Sequence, residues 1–187
     1  MYIADDVCNG DRILTTASMF GGMWHVQRLL DSRFDGVSDE SKNIAFITEM
    51  GEFFQAIKPT WAWWKRQDKE FVAGDNALEE LVDAMHFWLS AQPHYTIVPR
   101  VKVIATRYHN SQQYSIAQES MYLSVWDIVQ FPLLARAIGY SEKDLYSTYI
   151  KKAKKNLWRW GRDSEAPMVD DVAREGAIDC CKQLTAL

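Results

Sequence analysis

An all-α, single-domain helical bundle is what this sequence predicts, on three observations. The 187 residues are 48% hydrophobic and 13% aromatic, with eight Trp, enough for a packed core and too apolar for a disordered chain. Nine Gly and five Pro are too few for the many turns of an all-β protein. Apolar residues also recur at helical spacing in several long stretches separated by short polar or aromatic joints.

Residues 12–31, RILTTASMFGGMWHVQRLLD, put Met23, Val26, Leu29 and Leu30 at helical spacing, with Gly21-Gly22 expected to interrupt or start the helix. RFDGVSDESKN is a polar linker in which Ser38 or Ser41 caps a second helix over about 43–57. That helix should stop before Pro59, whose ring forces its predecessor out of helical geometry. PTWAWWKRQDKEF is an aromatic and basic connection, and 74–93, GDNALEELVDAMHFWLSAQP, is a third helix capped by Asp75 and ended near Pro93. One loop joins these two helices, so they are expected to pack antiparallel. Residues 98–139 read as helix with irregular joints and a β-leaning patch at 101–104. The stretch 141–160, SEKDLYSTYIKKAKKNLWRW, opens on Ser141 and Asp144 in a capping-box pattern. Residues 163–187 are expected to be a flexible tail or a short terminal helix of the same domain, which spans 1–187.

The net charge is −4 and the pI near 5.6, a balance that gives no surface for a stable nucleic-acid partner. Charge is uneven, however: Lys151, Lys152, Lys154, Lys155, Arg159 and Arg162 form a block without an acid, suited to a small, highly charged anion. Three Cys, two of them adjacent at 180–181, offer neither metal spacing nor a disulfide framework, which fits a reducing cytoplasm. The opening MYIADDVCNG places acids where a secretion signal needs bases, and no apolar run reaches membrane-spanning length, so a cytoplasmic protein without a membrane partner is expected.

The chemistry is expected in ITEMGEFFQAIK, where Glu49 and Glu52 sit three apart beside Phe46, Met50 and Phe53. Residues three apart share a helix face, and Glu80 and Asp83 repeat the pattern one helix later. Packed together, four carboxylates would repel one another unless a cation neutralised them. The all-oxygen donor set favours Mg²⁺, with Mn²⁺ as a substitute, over zinc. Glu79 is the acid expected to face water. Lys152, Asn156 and Arg159 fall on one helical stripe, with Lys155 beside them.

EMGE, EELVDAMHFWLS, WAWWK and YIKKAKKNLWRW together resemble the motifs of the all-α nucleoside triphosphate pyrophosphatases, the dimeric dUTPases more than the MazG branch. The resemblance implies that Glu49, Glu52, Glu80 and Asp83 bind Mg²⁺, with Glu49 or Glu52 also activating the attacking water. It implies Lys65, Lys152, Lys155, Asn156 and Arg159 around the phosphates and Gln27, Asp31, Trp63, Trp64 and His86 around the nucleoside. It further implies release of monophosphate and pyrophosphate from a nucleoside triphosphate, dUTP foremost, by a homodimer or homotetramer. Ala153 and Trp160 depart from the closing motif, where the branch has Asn and Gln, and Asp31 stands where it tends to have Asn. These departures touch the nucleoside side, so a purine nucleotide such as dGTP or GTP stays open. Two competing readings are a di-iron bundle, which would need further acid-x-x-His pairs beyond DAMH, and a non-catalytic helical adaptor.

Overall fold

Asp11 Oδ1 accepts hydrogen bonds from the backbone N–H groups of Ile13 (2.8 Å) and Leu14 (3.1 Å), and so opens α1 (Arg12–Asp31). The computed structural model describes residues 8, 10–62, 76–92, 105–106, 109, 128 and 130–186, with the backbone alone at 59–60. From Thr15 to Trp24 every residue of α1 is buried, against the helices Ala77–Ala91, Glu142–Arg159 and Met168–Thr185. It runs unbroken through Gly21-Gly22, contrary to the interruption expected there.

The reason lies in α7 (Met168–Thr185), which crosses α1 on a stripe of small residues, Ala173, Gly176, Ala177 and Cys180. A Cβ on Gly22 would stand 2.6 Å from the Ala173 carbonyl oxygen, and one on Gly21 2.5 Å from Cys180 Cβ. On Gly176 it would stand 2.6 Å from the His25 ring. The glycines are there for close backbone approach, and each gives up about 1 kcal/mol of helix propensity relative to Ala. The segment expected as a tail or short helix thus forms a 3₁₀ turn (Asp163–Glu165) followed by an 18-residue helix built into the core. A small-residue stripe carries little hydrophobic signal, which hides such a helix from periodicity.

Ser38 is the cap of α2 (Asp39–Ala56), its Oγ accepting from the Ser41 N–H at 3.1 Å. Only Phe46, Met50 and Phe53 of this helix are buried, a narrow stripe seated on α4 (Ala77–Ala91). Each such side chain contributes roughly 1.5–3 kcal/mol when withdrawn from water. The pair is antiparallel: Lys42 Nζ donates to the Ser90 carbonyl at 3.3 Å at one end, and Glu52 meets Glu80 at the other. Helix α2 does end before Pro59, at Ala56, but the residue preceding the proline is helical: after Ile57 a four-residue helix, α3 (Lys58–Trp61), starts with Pro in its first turn, where a missing N–H is harmless. Asp75, the expected cap of α4, lies outside the described residues, as does the β-leaning patch at 101–104. No strand occurs among the described residues.

After α5 (Gln130–Ala137), α6 (Glu142–Arg159) opens with the expected capping box. The Ser141 N–H donates to Asp144 Oδ2 at 2.8 Å, and the Asp144 N–H donates to Ser141 Oγ at 3.2 Å. Gly161, at φ 68°, ends α6 by letting the Arg162 N–H turn back to the Leu157 carbonyl at 2.8 Å. Tyr149, Ala153 and Leu157 of α6 are fully buried against α1 and α4. Among the described residues no helix is long and apolar enough to cross a membrane.

Candidate active site

The antiparallel pairing of α2 and α4 decides where the acids go. Glu49 and Glu52 share a face of α2, and Glu80, in the first turn of α4, comes opposite them. One carboxylate oxygen from each of the three lies within 4.8 Å of the other two. Glu49 and Glu80 are half-buried, Glu52 is exposed, and Glu79 faces water as expected. Asn76 Nδ2 donates to Glu80 Oε1 at 2.8 Å and steadies it. Burial, and then the negative charge of Asp83, Glu52 and Glu80, push the Glu49 carboxyl above its ordinary range, with Lys152 pulling weakly the other way. Crowded oxygens of one sign, at this spacing and without a nitrogen or sulfur donor, fit a hard divalent cation.

Asp83 is outside this trio, though near enough for its charge to raise Glu49. Its Oδ2 accepts from Lys152 Nζ at 2.5 Å, and this half-buried ion pair spans α4 and α6. Burial raises the Asp83 carboxyl and the lysine opposes that rise. The ammonium offsets the charge of Asp83.

Above the acids is a cavity of about 440 Å³, with Glu49 and Asp83 on its floor, Gln27 and Asp31 on one wall and Lys152, Asn156 and Arg159 on another. Those three residues lie at i, i+4 and i+7 of α6, so the expected stripe shares the cavity with Glu49 and Asp83, while Glu52 and Glu80 do not line it. Lys155 is exposed and does not line the cavity, because it is turned off the stripe. Lys65, Trp63 and Trp64 lie outside the described residues. Of the two departures in the closing motif, Ala153 is fully buried in the core, whereas Trp160 lines the cavity and meets Phe34 edge-on, ring centroids 4.6 Å apart. Phe34 and Val37, from the joint between α1 and α2, and Phe87 of α4 lie on the apolar side; nothing in their local spacing marks them, since they converge from two separate segments.

The end of the cavity opposite the solvent carries a buried polar network with one allowed set of donors. Asp31 Oδ1 only accepts, so the Gln27 atom 2.8 Å away is the amide nitrogen, and Gln27 Oε1 faces inward. That oxygen lies 2.7 Å from the Tyr149 hydroxyl and 2.8 Å from His86 Nδ1, so both of these donate to it. Ser90 Oγ donates to Asp31 Oδ1 at 2.7 Å, and the Arg28 guanidinium lies 2.9 Å from Oδ2. His86 therefore carries its proton on Nδ1. Complete burial, then the charge of Lys152, push its pKa down to about 3, with a small opposing pull from the Tyr149 backbone, so the ring is neutral. Tyr149 stacks on it at 3.9 Å. His86 Nε2 is left as a buried acceptor without a partner among the described residues, in a ring that lines the cavity. No local spacing marks Tyr149, Ser90 or Arg28, which act through contacts between helices far apart in the chain.

The family described as dUTPase matches residues 20–163, a range that includes every residue lining this cavity. No curated protein and no solved structure matches the chain.

Proposed function

The chain belongs to the all-α dUTPase family, related to the MazG pyrophosphatases, and from that premise we propose that it cleaves dUTP to dUMP and pyrophosphate with Mg²⁺. The observation that carries this reading is that Lys152, Asn156 and Arg159 share one cavity with Glu49 and Asp83, and that Glu52 and Glu80 cluster on Glu49. Glu49, Glu52 and Glu80 would hold the cation, which when bound supplies positive charge against the triphosphate oxygens and Lewis acidity at the scissile linkage. Lys152, Asn156 and Arg159 bind the remaining phosphate oxygens. For Lys152 this means leaving Asp83, whose carboxylate is then free to join the other three acids. Glu49, whose affinity for a proton is raised by burial and by its acidic neighbours, takes the proton from the attacking water at a carboxylate oxygen.

Base selection follows from His86. A neutral ring with a bare Nε2 accepts from a base N–H. Uracil and thymine offer N3–H and guanine offers N1–H, whereas N3 of cytosine is itself an acceptor and meets the lone pair. The dGTP alternative therefore survives on this contact, and Phe34 and Trp160 provide an apolar wall for either base. Assembly into a homo-oligomer is supported by Ile44 and Ile47, 59% and 67% exposed on the outer side of α2. Sedimentation equilibrium giving only the monomer mass would dismiss that part.

The decisive experiment incubates the protein with each deoxynucleoside triphosphate and Mg²⁺ and resolves the products by chromatography. We expect dUMP and pyrophosphate from dUTP, no turnover of dCTP, and loss of activity in Glu52→Gln. Orthophosphate in place of pyrophosphate, or equal turnover of dCTP, would defeat the reading.

A further inference from the structure

A second cavity, of about 430 Å³, lies at the other end of the same two helices. The candidate active site takes Gln27 and Asp31 from the end of α1 and Lys152 to Trp160 from the end of α6. This cavity takes Arg12, Thr15 and Thr16 from the start of α1 and Glu142 and Lys143 from the start of α6. Ten residues of α1 lie between Thr16 and Gln27 and eight of α6 between Lys143 and Lys152, about 14–16 Å at the α-helical rise. Arg12, Thr15 and Thr16 also precede the stretch matched by the family, so this cavity is built partly from residues outside it.

Its charge differs from that of the first. Among the described residues, Arg12, Arg136 and Lys143 line it against a single carboxylate, Glu142. His109 Nε2 lies 3.1 Å from the Arg12 carbonyl and 3.0 Å from Thr16 Oγ1, so it carries a proton toward that carbonyl. Thr15 lines the cavity too; the residue is 4% exposed, and its Oγ1 is buried without a hydrogen-bond partner among the described residues. A buried hydroxyl normally finds an acceptor or donor within the protein, and leaving it bare costs about 1–3 kcal/mol. A hydroxyl can donate to an anion in the same space, and the three basic side chains leave the field there positive even where each has protein contacts of its own. The volume accommodates a group of nucleotide size.

We propose that this cavity is a second, metal-independent binding site for the phosphate group of a small phosphorylated molecule, with Thr15 donating to a phosphate oxygen and Arg12, Arg136 and Lys143 supplying charge. No carboxylate cluster needs neutralising there, so binding requires no divalent cation, in contrast to the first cavity.

The test is calorimetric titration in EDTA at low salt, with pyrophosphate, inorganic phosphate and dUMP as separate probes. One equivalent of pyrophosphate is expected to bind. Thr15→Val, nearly isosteric, should weaken binding by about tenfold, and the double variant Arg12→Gln/Lys143→Gln should abolish it, with the melting temperature of each protein checking the fold. Lys152→Gln should leave this metal-free binding unchanged, which separates the second site from the pyrophosphatase reading; either can fail without the other. Tighter binding of dUMP than of inorganic phosphate would assign the ligand to phosphorylated metabolites, and equal binding to free phosphate; both support the site. No binding of any probe in EDTA, or binding that disappears with Lys152→Gln and persists in the double variant, overturns it.

Discussion

Adding one methyl group to Gly22 and one to Gly51 should have opposite effects, and the size of each follows from its surroundings. In Gly22→Ala the new Cβ would lie 2.6 Å from the Ala173 carbonyl oxygen and 3.4 Å from its carbonyl carbon. Both are backbone atoms of α7, so no side-chain rotation relieves the contact, and α7 must move off α1 by more than half an ångström (roughly) along a tightly packed line. Overpacking of this kind costs about 2–3 kcal/mol, from which about 1 kcal/mol of improved helix propensity is subtracted. The net loss of about 1–2 kcal/mol should lower the melting temperature by roughly 3–8 °C for a chain of this length. Gly51 is exposed on α2, with no described atom within 4 Å of its Cβ position. Gly51→Ala should therefore gain about 0.5–1 kcal/mol and raise the melting temperature by roughly 1–4 °C. Thermal unfolding followed by circular dichroism measures both. A melting temperature unchanged or raised by Gly22→Ala would mean that α7 is not seated on α1 as described, and the account of Gly21, Gly22 and Gly176 would fall with it.

His86 makes stability depend on pH. Its folded pKa is depressed to about 3 from 6.5, so the contribution is complete above the unfolded value and is lost as pH falls toward the folded one. Urea unfolding should show a loss of about 1 kcal/mol per pH unit between pH 6 and 5 relative to His86→Gln; parallel profiles for the two proteins would contradict a buried neutral imidazole. Cys8, Cys180 and Cys181 are buried, and burial pushes the Cys8 and Cys180 thiols up to about 12, so a disulfide reagent at pH 8 should label none in the folded protein and three after denaturation. Rapid labelling of the native chain would refute that packing. Lys152→Gln frees Asp83 from its ion pair, so Mn²⁺ affinity without nucleotide should rise several-fold while dUTP hydrolysis falls at least about a hundredfold. Weaker Mn²⁺ binding in this variant would exclude the exchange of Lys152 from Asp83 to phosphate.

What the sequence determined by itself is local. Ser38 and the Ser141–Asp144 box set two helix starts through hydrogen bonds made within one turn, and the three-residue spacing of Glu49 and Glu52 put both on one face of α2. The motif resemblance named the acids and the α6 stripe because their spacing follows a single helix. Tertiary structure alone decided that Asp83 pairs with Lys152, 69 residues away, that Lys155 turns outward, and that α7 is core rather than tail. It also decided the proton position on His86, through Gln27, Asp31 and Tyr149, three residues contributed by two other helices. Helical period and capping reach only a few residues along the chain, whereas these relations depend on which faces of separate helices meet, and on how closely glycine lets them approach.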